Sequence, residues 1–100
     1  MAADDYDLPE YKGPTVRFVI EYAAPDEDEA LFLARRLFAE LDARIEAMTL
    51  VPVVNHVFRV VLDDAIVYER DGSGAPPLAV VLVRLALDVL GGKEADDADR

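Results

Sequence analysis

From Thr15 to Tyr22 the chain alternates, with Val16, Phe18 and Ile20 apolar and Arg17 and Glu21 polar. A period of two is the mark of a strand, and the apolar Val19 on the second face predicts a strand covered on both sides. The period changes after Asp26. Ala30, Leu33, Ala34, Leu37, Phe38 and Leu41 recur at steps of three and four, which places them on the buried face of an amphipathic helix. Asp26 followed by Glu29 has the form of a capping box with Asp26 as N-cap, and Glu27 and Asp28 set negative charge against the positive helix end.

Apolar runs return from Met48 to Val54 and from Val57 to Leu62, which read as strands. Asp63-Asp64 is a tight turn into Ala65 to Arg70, so the last two strands form a hairpin. Residues 71–77 are a Gly- and Pro-rich loop. Pro76 or Pro77 in a first turn opens a second helix that runs to about Leu90, where Gly91 ends it. The order is β-α-β-β-β-α. A parallel β-α-β unit followed by an antiparallel hairpin and a closing helix predicts the mixed α/β (α+β) class, as a two-layer sandwich of reduced thioredoxin-like form. The domain is expected over 15–91, between a flexible acidic lead-in at 1–14 and a flexible acidic tail at 92–100.

One hundred residues suffice for one small core with little surplus stability. Twenty-one acidic residues against ten basic ones give a formal charge of −11. Such a chain repels phosphate backbones and anionic membrane surfaces, so neither nucleic acid nor membrane is an expected partner. The bases are eight Arg and two Lys, and Asp outnumbers Glu thirteen to eight. That pattern fits adaptation to high salt or a GC-rich genome equally. The acidic, polar start does not read as a signal peptide, and a cytoplasmic location is the expectation. There is no cysteine, which excludes disulfides and thiolate metal sites; no cofactor is expected.

The segment from Leu50 through Pro52, Val57-Phe58-Arg59-Val60, Asp63-Asp64 and Ile66 to Arg70, then Gly74 and Pro77, resembles the Rdx family, the selenoprotein W, T and H group. In that family a strand leads through a Pro and a glycine-containing loop into Val-Phe-Glu-Val, Val-Asp-Gly and Leu-Val-Trp-Ser-Arg, then a glycine-rich loop and Phe-Pro. The resemblance runs ungapped over this segment and extends more loosely through Tyr22 and the helix from Ala30 to Leu41. It implies a thioredoxin-like fold and redox exchange by a selenol or thiol at a Cys-x-x-Cys just after the tyrosine of the first strand. Here Ala23 stands at the first cysteine position. The loop from Tyr22 into the helix is shorter than in the family, so Asp26 matches the second cysteine only loosely. Asn55-His56 and Asp64 replace family glycines, and Asn and Asp tolerate positive φ better than most residues. A thiolate is the nucleophile of disulfide exchange, so this chain keeps the scaffold without that reaction.

Other chemistry is sparse. The resemblance puts His56 on a loop facing the helix start, beside Asp26, Glu27 and Asp28, where it could serve as general acid or base. The plainer reading makes His56 a loop residue and the acids a helix cap. One histidine without a second nitrogen ligand is a weak metal site. Ser73 has no matched base, and Gly72-Ser73-Gly74 lacks the length and lysine of a phosphate loop. Tyr22 and Tyr68 read as strand residues with one polar end.

The last helix carries the clearest positive signal. From Leu78 to Leu90 only Arg84 and Asp88 are polar. Ala79, Leu82, Ala86 and Leu90 lie opposite them and should face the sheet. That leaves Leu78, Val80, Val81, Val83, Leu85 and Leu87 on the flanks, more apolar surface than a lone small domain ordinarily exposes. The flanks are covered either by another part of the chain or by a second copy. The resulting expectation is a redox-inactive module acting in protein–protein interaction as a homodimer, with Val80, Val83 and Leu87 in the interface. The alternative is a thiol-independent enzyme or redox accessory using His56 and the acidic helix start.

Overall fold

A computed structural model describes residues 11–71, 74 and 77–98. The elements are β1 (Val16–Ala23), a 3₁₀ turn (Ala24–Asp26), α1 (Glu27–Leu41), a second 3₁₀ turn (Asp42–Arg44), β2 (Ile45–Val53), β3 (Val57–Leu62), β4 (Ala65–Asp71) and α2 (Ala79–Ala98). The sheet order is β2-β1-β3-β4, with β1 parallel to β2 and antiparallel to β3, and β3 antiparallel to β4. This is the β-α-β plus hairpin arrangement that the periodicity predicts, an α+β fold of thioredoxin-like form.

Alternation along the strands selects one core. Val16, Phe18 and Ile20 of β1 and Phe58, Val60 and Leu62 of β3 pack in one cluster with Ala30, Leu33, Ala34, Leu37 and Leu41 of α1 and Leu82, Ala86 and Leu90 of α2. Both helices therefore cover the same sheet face. The expectation that Val19 marks a strand covered on both sides does not hold: Val19, Thr49, Val61 and Ile66 lie on the opposite face, where none of the described elements packs. Arg59 crosses that face, its guanidinium 2.6 Å from both Glu21 of β1 and Glu69 of β4. Within α1, Phe38 falls beside the buried stripe and is 45% exposed, so it is not a core residue.

The hairpin turn is Asp63-Asp64, both in the left-handed region with φ of 49° and 72°, as a two-residue type I′ turn requires. Asp63 is tied down from three sides. Its Oδ1 accepts from the Arg17 backbone N–H at 2.8 Å, its own N–H donates to the Arg17 carbonyl at 2.9 Å, and its Oδ2 accepts from Lys93 Nζ at 2.7 Å. Lys93 Nζ also donates to the Thr15 carbonyl. These bonds fasten α2 beyond Leu90, and the helix does not end at Gly91: it continues through Gly91 and Gly92 to Ala98. The segment expected as a tail from residue 92 thus begins as helix. At the other end the first helical residue is Ala79, and the Leu78 carbonyl accepts from Val81 and Leu82 N–H, so Pro77 precedes the helix instead of forming its first turn. Pro76 lies outside the described residues, as do Ser73 and the lead-in up to residue 10.

Candidate functional site

The end of β1 and the start of α1 meet where the Rdx resemblance places its redox motif. Ala23 closes β1 with its side chain buried. Pro25 shapes the short 3₁₀ turn that follows, and Asp26 then precedes the first residue of α1. Asp26 makes no capping hydrogen bond. An N-cap residue ordinarily has extended dihedrals, whereas Asp26 also ends the 3₁₀ turn and sits at φ −100°, ψ 13°. The expected capping box is therefore absent, and both of its acids serve a different partner.

That partner is Arg70 of β4. Its guanidinium lies 3.1 Å from Glu29 Oε2 and 3.5 Å from Asp26 Oδ2, and it donates to the Gly74 carbonyl at 3.2 Å. The side chain is only 9% exposed. It rests on the Phe58 ring with Cζ 4.9 Å from the centroid, and Phe58 meets Tyr68 edge-on at 6.2 Å. Arg70 Nε is buried without a hydrogen-bond partner. Burial by itself would lower the Arg70 pKa, but the hydrogen bond and charge of Glu29, with Tyr68 and Asp26 adding to them, hold it above its usual value. The cation is permanent. It spans the first turn of α1, the end of β4 and the following loop.

The inward aim of Arg70 comes from a β-bulge. Leu62 pairs with Ala65 and Val61 with Ile66, but Val60 pairs with Tyr68, so Val67 is an extra residue on β4. Beyond the bulge Phe58 pairs with Arg70, which brings Arg70 to the helix side of the sheet. In a regular ladder continuing from the turn, Glu69 would stand opposite Phe58. Sequence reading missed Arg70 as a site residue for this reason. The adjacent pair Val67-Tyr68 within a short strand is the trace of the bulge in the sequence.

His56 lies exposed in the bend between β2 and β3. No hydrogen bond or ion pair joins it to Asp26, Glu27 or Asp28, and Asp26 is instead held by Arg70. The structure thus brings Ala23, Asp26, Glu29 and Arg70 to one end of the sheet and does not add His56 to them by contact. Among the described residues no group of three or more His, Asp or Glu side chains is placed to hold a metal ion. None of their helices is long and apolar enough to cross a membrane.

On α2 the sheet-facing side is as the spacing predicts: Leu82, Ala86 and Leu90 are buried and Ala79 packs against them. Val80 is 64% and Leu87 45% exposed, while Val83 is half-buried against the core. Phe32 of α1, also 64% exposed, lies across a groove from Leu78 and Val80.

No protein-family model matches the chain, and no curated protein matches it. Solved structures do. A protein from Bordetella parapertussis has a TM-score of 0.66 and 28% sequence identity, covering 76% of this chain and 99% of its own. A selenoprotein W-related protein from Vibrio cholerae has a TM-score of 0.69 and 22% identity, covering 76% of this chain and 98% of its own. The chain has the thioredoxin-like fold of that selenoprotein W-related protein, and the shared fold supports the resemblance to the Rdx group carried by residues 50–77.

Proposed function

We propose that this chain is a redox-inactive module of the Rdx type that acts through protein–protein contact, as a homodimer joined through α2. The reading rests on one observation. Val80 and Leu87 are both exposed on a helix whose opposite side is already committed to the core, with Val83 half-buried between them. A two-fold axis would set the same stripe on both subunits. Burial of these side chains at about 25 cal/mol per Å² would supply several kcal/mol before the cost of association. The inactive half of the proposal follows from chemistry: a chain without cysteine presents no thiolate.

Two copies of a chain with charge −11 repel each other, so association tightens with salt as the repulsion is screened. Sedimentation at tens of micromolar, in dilute buffer and in molar salt, tests this. The expected result is a dimer that strengthens with salt and is lost in Val80→Asp and Leu87→Asp, which place an unpaired charge in the contact while leaving the exposed site foldable. Val83→Asp is the harsher change because Val83 also touches the core. A folded wild-type monomer in molar salt overturns the proposal.

A further inference from the structure

The two edges of the sheet differ. β4 carries the features that keep a sheet edge from pairing: the bulge at Val67 breaks its line, and Glu69, Arg70 and Asp71 charge its second half. β2 lacks them. Its nine residues, Ile-Glu-Ala-Met-Thr-Leu-Val-Pro-Val, include one charged side chain. That one, Glu46, is held by its own sheet, its Oε1 accepting from the Thr15 hydroxyl at 2.9 Å. Among the described residues β2 has a single neighbour, β1, so the backbone groups it turns away from β1 have no strand to bond. Pro52 is tolerated near its end because an edge strand can turn the proline nitrogen outward.

A second feature lies above that edge. α1 rests on β2 and β1, and its side toward α2 is marked by Phe32, Leu33, Arg36 and Glu40, which line the depressions shared with α2. Leu31 and Phe38 are about two helical turns apart and so lie on one line. At about 100° per residue that line falls on the other flank of the buried stripe, toward β2. Both are exposed, by 40% and 45%. Below them Met48 and Leu50 of β2 are only partly buried against the core. The edge thus carries an apolar shelf whose outer side is open.

We infer that β2 pairs with β2 of a second copy of this chain, antiparallel about a two-fold axis at Thr49, so that two four-stranded sheets become one. This register is self-complementary. It sets Thr49 beside the partner's Thr49, Met48 beside the partner's Leu50, Ala47 beside the partner's Val51 and Glu46 beside the partner's Pro52, so that no charge faces its like. The helices fit as well. Each α1 sits over β1 and β2, one strand spacing from the axis, which puts the two α1 helices roughly 9–10 Å apart, the distance at which helices pack. Leu31 and Phe38 of both copies then fill the seam between them.

The size of the contact decides its strength. Seven paired residues, 46–52, run roughly 24 Å, and a sheet layer with a helix above it is roughly 20 Å deep. Each copy therefore contributes roughly 500 Å², and the pair about 1,000 Å², where specific interfaces begin and are weak. The β2 contact is independent of the dimer proposed through α2: it uses none of Val80, Val83 and Leu87 and lies on the other flank of α1. It joins such dimers, or single chains, at concentrations above those at which the α2 contact forms.

With no cysteine in the chain, one engineered thiol reports the register. Opposed α-carbons of an antiparallel pair are about 4.5–5.5 Å apart, within disulfide reach. Thr49→Cys, at an exposed position, should form a disulfide-linked dimer under diamide about ten-fold faster or more than Ala47→Cys, whose counterpart in the partner stands out of reach along the strand. Mixed Ala47→Cys and Val51→Cys chains should cross-link to each other in preference to themselves. In a Leu87→Asp background, which removes the α2 contact, the Thr49→Cys cross-link should persist. The self-association that remains there at high concentration should be lost in Thr49→Lys, which opposes two like charges on the axis and should stay folded by circular dichroism. The inference is overturned if Thr49→Cys cross-links no faster than Ala47→Cys, if the mixture shows no preference for the mixed pair, if Thr49→Lys leaves that association unchanged, or if Leu87→Asp abolishes the cross-link, which would mean that the copies meet at α2 alone.

Discussion

Arg70 Nη2 lies 3.5 Å from Asp26 Oδ2, so a buried cation stands beside the position that the Rdx resemblance loosely assigns to a second cysteine. The same guanidinium holds Glu29 and the Gly74 carbonyl. What would be a reactive turn in a redox protein is here an ion-paired junction between β4, its following loop and the first turn of α1. The junction has structural consequences that can be measured.

Replacing Arg70 by Met should lower stability by about 1–3 kcal/mol, because two carboxylates lose their partner and Phe58 loses the cation over its ring. Arg70→Lys should recover only part of this, since an ammonium cannot reproduce the planar fork that reaches two acids and a carbonyl. Denaturant unfolding of the three proteins checks the order. Equal stability of the Met variant and the wild type would mean that the junction contributes nothing net.

The wild-type protein should show no thiol–disulfide exchange. In Asp26→Cys the new thiol sits at the helix start beside Arg70, and its pKa should fall below the ordinary value of about 8.5, as read from the pH dependence of its alkylation rate. Adding Ala23→Cys should restore exchange only weakly, because position 23 is a buried strand end. Vigorous exchange by the double variant would show that the short turn brings the two sulfurs together after all.

Acid should remove the stabilisation that Asp63 gives the hairpin turn. Burial alone would raise the Asp63 pKa, but the hydrogen bonds from Lys93 and the Arg17 N–H, with the charges of Lys93 and Arg17, more than offset that and hold it below its usual value. A carboxyl lowered in the folded state favours folding above its unfolded pKa of about 3.9 and loses that contribution as pH falls through the folded value. Asp63→Asn should therefore be less stable than wild type at neutral pH, with the gap closing in acid. A gap that stays constant with pH would assign the effect to packing instead of charge.

Gly91 and Gly92 lie inside α2, neither at a positive φ, and a β-carbon at either meets nothing within 4 Å. Gly91→Ala and Gly92→Ala should each stabilise the protein by roughly 0.5–1 kcal/mol through helix propensity. Were Gly91 a left-handed helix stop, alanine there would destabilise. Thermal unfolding distinguishes the two by sign.

Patterning determined the elements and their order. The alternation in β1, the three-and-four spacing of Leu33, Leu37 and Leu41, and the Asp63-Asp64 turn are local signals, and each corresponds to an observed strand, helix or hairpin. The sheet-facing side of α2 was equally legible, because Leu82, Ala86 and Leu90 follow the helical period and are buried. The missing thiol needed no structure at all. Three matters were settled only by contacts distant in sequence. Whether a glycine ends a helix depends on what lies beyond it, and Lys93 carries α2 past Gly91 by reaching Asp63 and Thr15. An Asp–Glu pair spaced for a cap can be claimed by another strand, as Asp26 and Glu29 are by Arg70. The side of the sheet that Arg70 occupies turns on the single extra residue at Val67, because a strand's side chains alternate with period two and one inserted residue exchanges its two faces.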